Sequence, residues 1–179
     1  QTMTKSRLRG ATLIEVLVVT TVFSMLLVAI WGIYHSAVRA ERLISLKTDI
    51  DRVIMAATRH LDSALKSSQL TQPNDWTDPQ YVTELELTPL KLGPDGEPLV
   101  TAVGLPEWGD PFTISFENQE LVRQTSERRV LAKFGDEGSV RFIRRSKGML
   151  EMEVQLTKEG MHGVTSTRRT TFQFRLFNQ

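Results

Sequence analysis

The sequence predicts an α+β fold, with one long N-terminal helix packed on an antiparallel β-sheet head. Three observations carry that prediction. No Asp, Glu, Lys or Arg stands between Glu15 and Arg39, so residues 16–38 form an uninterrupted apolar run. Beyond Arg39, apolar residues recur in steps of three and four as far as Leu65. Beyond Pro111 they alternate with polar ones, the period of a half-buried strand.

Averages hide this division. The chain has 179 residues, 22 Lys+Arg against 21 Asp+Glu, and 40% hydrophobic residues, the profile of an ordinary near-neutral domain. Residues 11–38, however, hold 20 hydrophobic residues in 28 positions. Lys5, Arg7 and Arg9 give the first ten residues +3, leaving 19 positive against 21 negative side chains, net −2, in the remainder. The absence of cysteine excludes a disulfide framework, a thiolate metal site and a thiol nucleophile. The near-zero net charge gives no support for a strongly nucleic-acid-seeking chain. The chain therefore divides into a basic leader (1–10), an apolar helix (11–38), an amphipathic continuation (39–70) and a β-rich head (71–179).

The apolar helix is long enough to span a membrane. A spanning helix needs about 20 mostly apolar residues, and Val16 to Val38 supplies 23. The preceding bases Lys5, Arg7 and Arg9 keep the N-terminus cytoplasmic, which places the head in the periplasm after a single inner-membrane pass. A cleaved secretory signal would carry an apolar stretch of only about 7–15 residues before a small-residue cut site. Here the run continues into Trp31, Tyr34 and His35. It reads as an anchor.

Glu15 breaks the pattern. An ionisable side chain at membrane depth costs roughly 2–3 kcal/mol. Either it snorkels to the nearby interface, or it meets a positive charge supplied within the bilayer. An α-amine created by a cut just before Ala11 would be such a charge.

The residues Lys5-Ser6-Arg7-Leu8-Arg9-Gly10, followed by Ala11-Thr12-Leu13-Ile14-Glu15-Val16-Leu17-Val18, resemble the processing signature of type IV pilins and type II secretion pseudopilins. In that family a membrane-embedded prepilin peptidase cuts after the leader glycine, and a Glu stands five residues beyond the cut. The resemblance implies cleavage between Gly10 and Ala11, methylation of the new Ala11 amine, and an assembly role for Glu15. With Met3 as initiator the leader has the family's length, and Gln1-Thr2 would lie ahead of the start. Ala11 departs from the Phe that usually follows the cut.

From Arg39 onward, Leu43, Leu46, Ile50, Val53, Ile54, Ala57, Leu61, Ala64 and Leu65 define one helical face. No Pro precedes Pro73, so one helix is expected from about Thr12 to about Ser67. Gly32 is its one weak point. Residues 71–111 contain all seven prolines and the turn Gly93-Pro94-Asp95-Gly96, so loops are expected with short strands at 81–88 and 99–103. Alternation then marks strands at Phe112–Phe116, Leu150–Leu156 and Phe172–Leu176. Turns at Asn118, Gly135–Gly138, Lys147-Gly148 and Lys158–Gly163 separate them into an antiparallel meander.

This layout looks like the ladle shape of pilins. The run from Ile114 to Arg123, with strands at Val140–Arg145 and Leu150–Leu156, is similar to J-type minor pseudopilins and to W-type minor type IV pilins. The resemblance implies a minor pseudopilin of a type II secretion system, processed by prepilin peptidase and assembled into the tip or priming complex of a periplasmic pseudopilus. The alternative is a minor type IV pilin of a pilus or DNA-uptake machine. Implied partners are other minor and major pseudopilins or pilins, prepilin peptidase, inner-membrane lipid and the secreted substrate.

Other chemistries find little support. His35, His60 and His162 are far apart, and no Gly-x-Ser-x-Gly, phosphate-loop or dinucleotide motif is present, so no enzymatic activity, cofactor or catalytic metal is expected. Asp75, Asp78, Asp95 and Glu97 lack the spacing of a calcium loop. The basic pairs Arg128-Arg129, Arg144-Arg145 and Arg168-Arg169, with Arg141 and Lys147, are interleaved with Glu117, Glu120, Glu127, Glu151 and Glu153. Nucleic acid is therefore not an expected partner.

Overall fold

The computed structural model describes residues 12–73, 77, 79–135, 137–160 and 163–176. One long helix, α1 (Leu13–Lys66), is followed by eight strands: β1 (Ser68–Gln72), β2 (Glu84–Pro89), β3 (Phe112–Glu117), β4 (Glu120–Gln124), β5 (Arg128–Lys133), β6 (Glu137–Ser146), β7 (Met149–Glu159) and β8 (Thr165–Arg175). The chain divides into two units, residues 1–43 and 44–179.

In the first unit, every described side chain from Leu13 to Ala37 is exposed. The Thr and Ser hydroxyls of its apolar run are satisfied within the helix. Thr20 donates to the carbonyls of Val16 and Leu17, Thr21 to Leu17, Ser24 to Thr20 and Ser36 to Ile33. A helix whose backbone and hydroxyls are satisfied internally suits lipid. Trp31, Tyr34 and His35 cluster toward its other end, with the Trp31 and His35 rings edge-on at 4.6 Å. Nineteen residues separate Glu15 from Tyr34, or about 28 Å of helix, close to the roughly 30 Å of a bilayer's hydrocarbon core.

In the second unit the helix turns amphipathic and acquires a partner. Ile50, Ile54, Ala57, Leu61 and Leu65 are buried, the steps of three and four read from the sequence, and Val53 and Ala64 pack at the margin. They share one core with Leu85, Leu87, Ile114, Leu121, Phe142, Met152 and Leu156. Burying each such side chain stabilises the fold by about 1.5–3 kcal/mol. The helix stops at Lys66, whose ammonium pairs with Asp62 at 2.7 Å, a cation suited to the C-terminal dipole.

The strands form two antiparallel sheets where one was expected, in the orders β1-β2-β3-β4-β5 and β6-β7-β8. Each is a meander. Val82 and Phe142 exchange backbone hydrogen bonds of 2.8 and 2.7 Å, linking the segment before β2 to β6. That pairing explains why β2 begins at Glu84, later than the expected 81. Ser68–Gln72, assigned in part to the helix from its sequence, is instead β1. The expected strand at 99–103 is replaced by isolated bridges. Lys91 N–H donates to the Glu107 carbonyl, Glu107 N–H to Leu99, and Leu99 N–H to Lys91, a closed three-way junction. Three Pro-flanked segments that turn toward one another give each partner a single bridge, too little for a ladder.

Between β3 and β4, Asn118 and Gln119 both adopt positive φ, 50° and 63°, as a two-residue hairpin turn requires. Gln119 then accepts a hydrogen bond from Gly138 N–H at 2.7 Å through its side chain. Gly138 permits this approach because it has no Cβ. One added there would lie 2.6 Å from the Cβ of Phe134, which is fully buried and stacks edge-on against Phe116. Gly138→Ala is expected to cost about 1–3 kcal/mol through overpacking. Chemical denaturation should show a lower midpoint, whereas Gly148→Ala, where a Cβ meets nothing within 4 Å, should not.

Candidate functional site

The site suggested by the sequence lies at the start of α1. Gly10, Ala11 and the leader bases Lys5, Arg7 and Arg9 lie outside the described residues. Thr12 and Glu15 are described, and they form a reciprocal cap. Glu15 Oε2 accepts the Thr12 N–H at 2.8 Å and the Thr12 hydroxyl at 3.1 Å, while Glu15 N–H donates to Thr12 Oγ1 at 3.3 Å. Helix N-termini leave four backbone N–H groups without partners, and a Thr-x-x-Glu box satisfies two of them. The box was legible in the sequence as Thr12-Leu13-Ile14-Glu15, but the carboxylate drew attention for its charge alone.

This geometry gives Glu15 two capacities. Both accepted bonds fall on Oε2, which leaves Oε1 without a partner among the described residues. The carboxylate can therefore cap its own helix and still receive a cation from outside. It also sits at the positive end of the helix dipole, which favours an anion. An ammonium ion presented by a neighbouring chain would find one acceptor fixed in direction by Thr12.

The remaining candidates are scattered. His35 belongs to the aromatic cluster of the first unit, His60 lies exposed on α1, and His162 lies outside the described residues. Asp75 and Asp78 also lie outside them, whereas Asp95 and Glu97 are exposed near the Gly93–Gly96 turn. Among the described residues, no three His, Asp or Glu side chains gather as a metal site would require.

Most of the basic pairs carry structural ion pairs. Arg145 meets Glu151 at 3.1 Å, and that hydrogen bond raises its pKa above the ordinary arginine value. Arg168 pairs with Asp51 of α1, and Arg169 with Glu153 of β7. Arg144 is buried, donates to the carbonyls of Pro73 and Lys147 at 3.1 Å each, and has its pKa pushed down by burial. Glu120 lies 2.9 Å from Arg128 and 3.1 Å from Lys133.

The Arg128 hydrogen bond, and then that from Lys133, holds the Glu120 carboxyl below the usual glutamate range. A pKa lower in the folded than in the unfolded chain adds stability above the unfolded value. That stability is lost as pH falls through the lowered one. Acid titration of folding should therefore be shallower in Glu120→Gln than in the wild type. The difference should shrink in high salt, because the pairs are exposed.

Comparison with known proteins bears on the helix start. No curated protein and no solved structure matches this chain. Residues 5–31 match the prokaryotic N-terminal methylation motif, a span that takes in the leader bases, Gly10, Ala11, the Thr12–Glu15 box and the apolar helix through Trp31. The motif, the exposed apolar helix and the antiparallel sheets together support a type IV pilin-like protein, processed by prepilin peptidase and assembled with other pilins.

Proposed function

We propose that the chain is a minor pseudopilin of a type II secretion system, of the J type, related to the W-type minor type IV pilins, with no enzymatic activity of its own. It is inserted in the inner membrane with its N-terminus cytoplasmic and its head periplasmic. Prepilin peptidase removes the leader after Gly10. The Ala11 amine is methylated, and the helix enters a bundle of similar helices at the tip of a pseudopilus.

The observation that carries this reading is the match over residues 5–31, combined with a carboxylate fixed five residues beyond the cut. The exposed apolar helix needs a cover, and lipid before assembly and sister helices after it both provide one. Desolvated charges are stable only when paired. Glu15 would meet the Ala11 amine of a neighbour, so the correct axial register is the one that unites them. Support for the minor class comes from the β3–β4 hairpin followed by the long strands β6 and β7, the segments on which the resemblance rests.

Native-membrane purification through a tag on the chain tests the assignment. Recovery of secretion pseudopilins is the expected result. Recovery of pilus or competence subunits instead, or steeply salt-dependent retention on DNA, would contradict it.

A further inference from the structure

A cavity of about 200 Å³ lies where the last turns of α1 meet β3, β4 and β5. Its polar lining is His60, Ser63, Ser67, Ser68, Arg123 and Arg129, and among the described residues no Asp or Glu contributes to it. Phe112, Ile114 and Leu131 supply apolar wall.

Two features distinguish it from ordinary surface. Arg123 and Arg129 stand directly opposite each other on β4 and β5. Paired residues share a face, and Arg123 also stands opposite the buried Ile114, so both arginines lie on the face of the sheet that carries the core, Arg123 half-buried and Arg129 exposed on the edge strand. Like charges placed directly across a ladder repel, and among the described residues no carboxylate in the lining offsets them. Secondly, two buried polar atoms find no hydrogen-bond partner among the described residues, Ser68 Oγ and Arg123 Nε, and Ser68 is only 3% exposed. A buried donor without an acceptor is costly and calls for a ligand or water. The Arg123 guanidinium is held in place by stacking 3.9 Å from the Phe112 ring centre. The helix C-terminus contributes a partial negative charge, outweighed by two full positive ones.

We propose that this cavity binds a carboxylate carried on a short apolar stem. A guanidinium fork, a second arginine and a serine hydroxyl offer the donors that a two-oxygen acceptor uses. At about 30 Å³ per water-sized unit, the volume takes six or seven non-hydrogen atoms, enough for a glutamate side chain or a chain-terminal carboxyl group. Five of the eleven lining residues are apolar, and they suit a hydrocarbon stem better than a phosphate dianion, which carries charge on every side.

The full chain in detergent micelles, labelled on its arginine side chains, tests this by NMR titration at low ionic strength. Butyrate should produce a saturating shift of the Arg123 Nε–H signal, and sodium chloride should not. Arg129→Gln should weaken butyrate binding about tenfold, the loss of one charge-assisted hydrogen bond. Ser68→Ala should weaken it less. Arg128→Gln removes the same charge one residue away, from the residue that pairs with Glu120, and should leave binding unchanged. An end-blocked tripeptide with a central glutamate and one with a free C-terminus separate side-chain from chain-end carboxylates, and saturable binding of either supports the site. Absence of any saturating shift, tighter binding of inorganic phosphate than of butyrate, or equal weakening by Arg128→Gln would overturn it. Retained amide dispersion in each variant separates lost binding from lost folding.

Discussion

Gly10 replaced by alanine or anything larger is expected to leave the chain as an uncut precursor of unchanged membrane affinity. The reason is steric. A peptidase that works within the bilayer must hold the scissile peptide against its catalytic groups, and glycine alone presents no Cβ there. A misfit that raises the barrier by about 2.7 kcal/mol slows the cut roughly a hundredfold. The anchor is untouched, because Val16 to Val38 carries the membrane affinity and Gly10 does not. A gel of membranes containing the peptidase should show the precursor size only. A variant of ordinary mature size would contradict the cleavage site.

Glu15 carries the second large effect, and two substitutions separate its two capacities. Glu15→Gln keeps a side chain able to accept from Thr12, because the capping box tolerates Gln at its fourth position, but it removes the charge. Glu15→Val removes both. Losing the cap costs about 1 kcal/mol of local helix stability. Under that proposal, losing the charge leaves a neighbour's ammonium unpaired in a low-dielectric bundle, a cost of about 2–3 kcal/mol, or roughly 30- to 150-fold in incorporation. Both variants should be cut normally, since the proposed cut is read at Gly10. Both should be nearly absent from assembled fibres, and only Glu15→Val should fray the first turn. Normal incorporation of Glu15→Gln would show that the carboxylate acts as a cap alone.

The parts of the fold legible in the sequence were those set by local periodicity. The helix ran to Lys66 because nothing between Thr12 and Ser67 breaks it, and its buried face fell on Ile50, Ile54, Ala57, Leu61 and Leu65. Strong alternation disclosed β3, β7 and β8, and Asn118 marked its turn. β1 escaped because Ser68–Gln72 contains a single apolar residue, Leu70, and no Gly or Pro separates it from the helix. β5 escaped because Arg128-Arg129 reads as charge before it reads as strand. The division into two sheets, and the Val82–Phe142 bridge that links the segment before β2 to β6 across 60 positions, leave no local trace in the sequence. The same holds for the candidate sites. Glu15 was visible as a misplaced charge, whereas its Thr12 partner was passed over, although the Thr-x-x-Glu spacing is the signal that discloses it. The cavity beside β5 depends on the register that sets Arg123 against Arg129, which only the folded chain fixes.

The central claim is that this chain becomes a filament subunit by losing its leader. Its most direct test is the N-terminus of the chain recovered from membranes that contain the peptidase, read by intact mass and N-terminal peptide sequencing. A mature chain that begins at Ala11 with a methylated amine is the predicted result. A chain that still carries Lys5, Arg7 and Arg9 ahead of Gly10 would contradict the account.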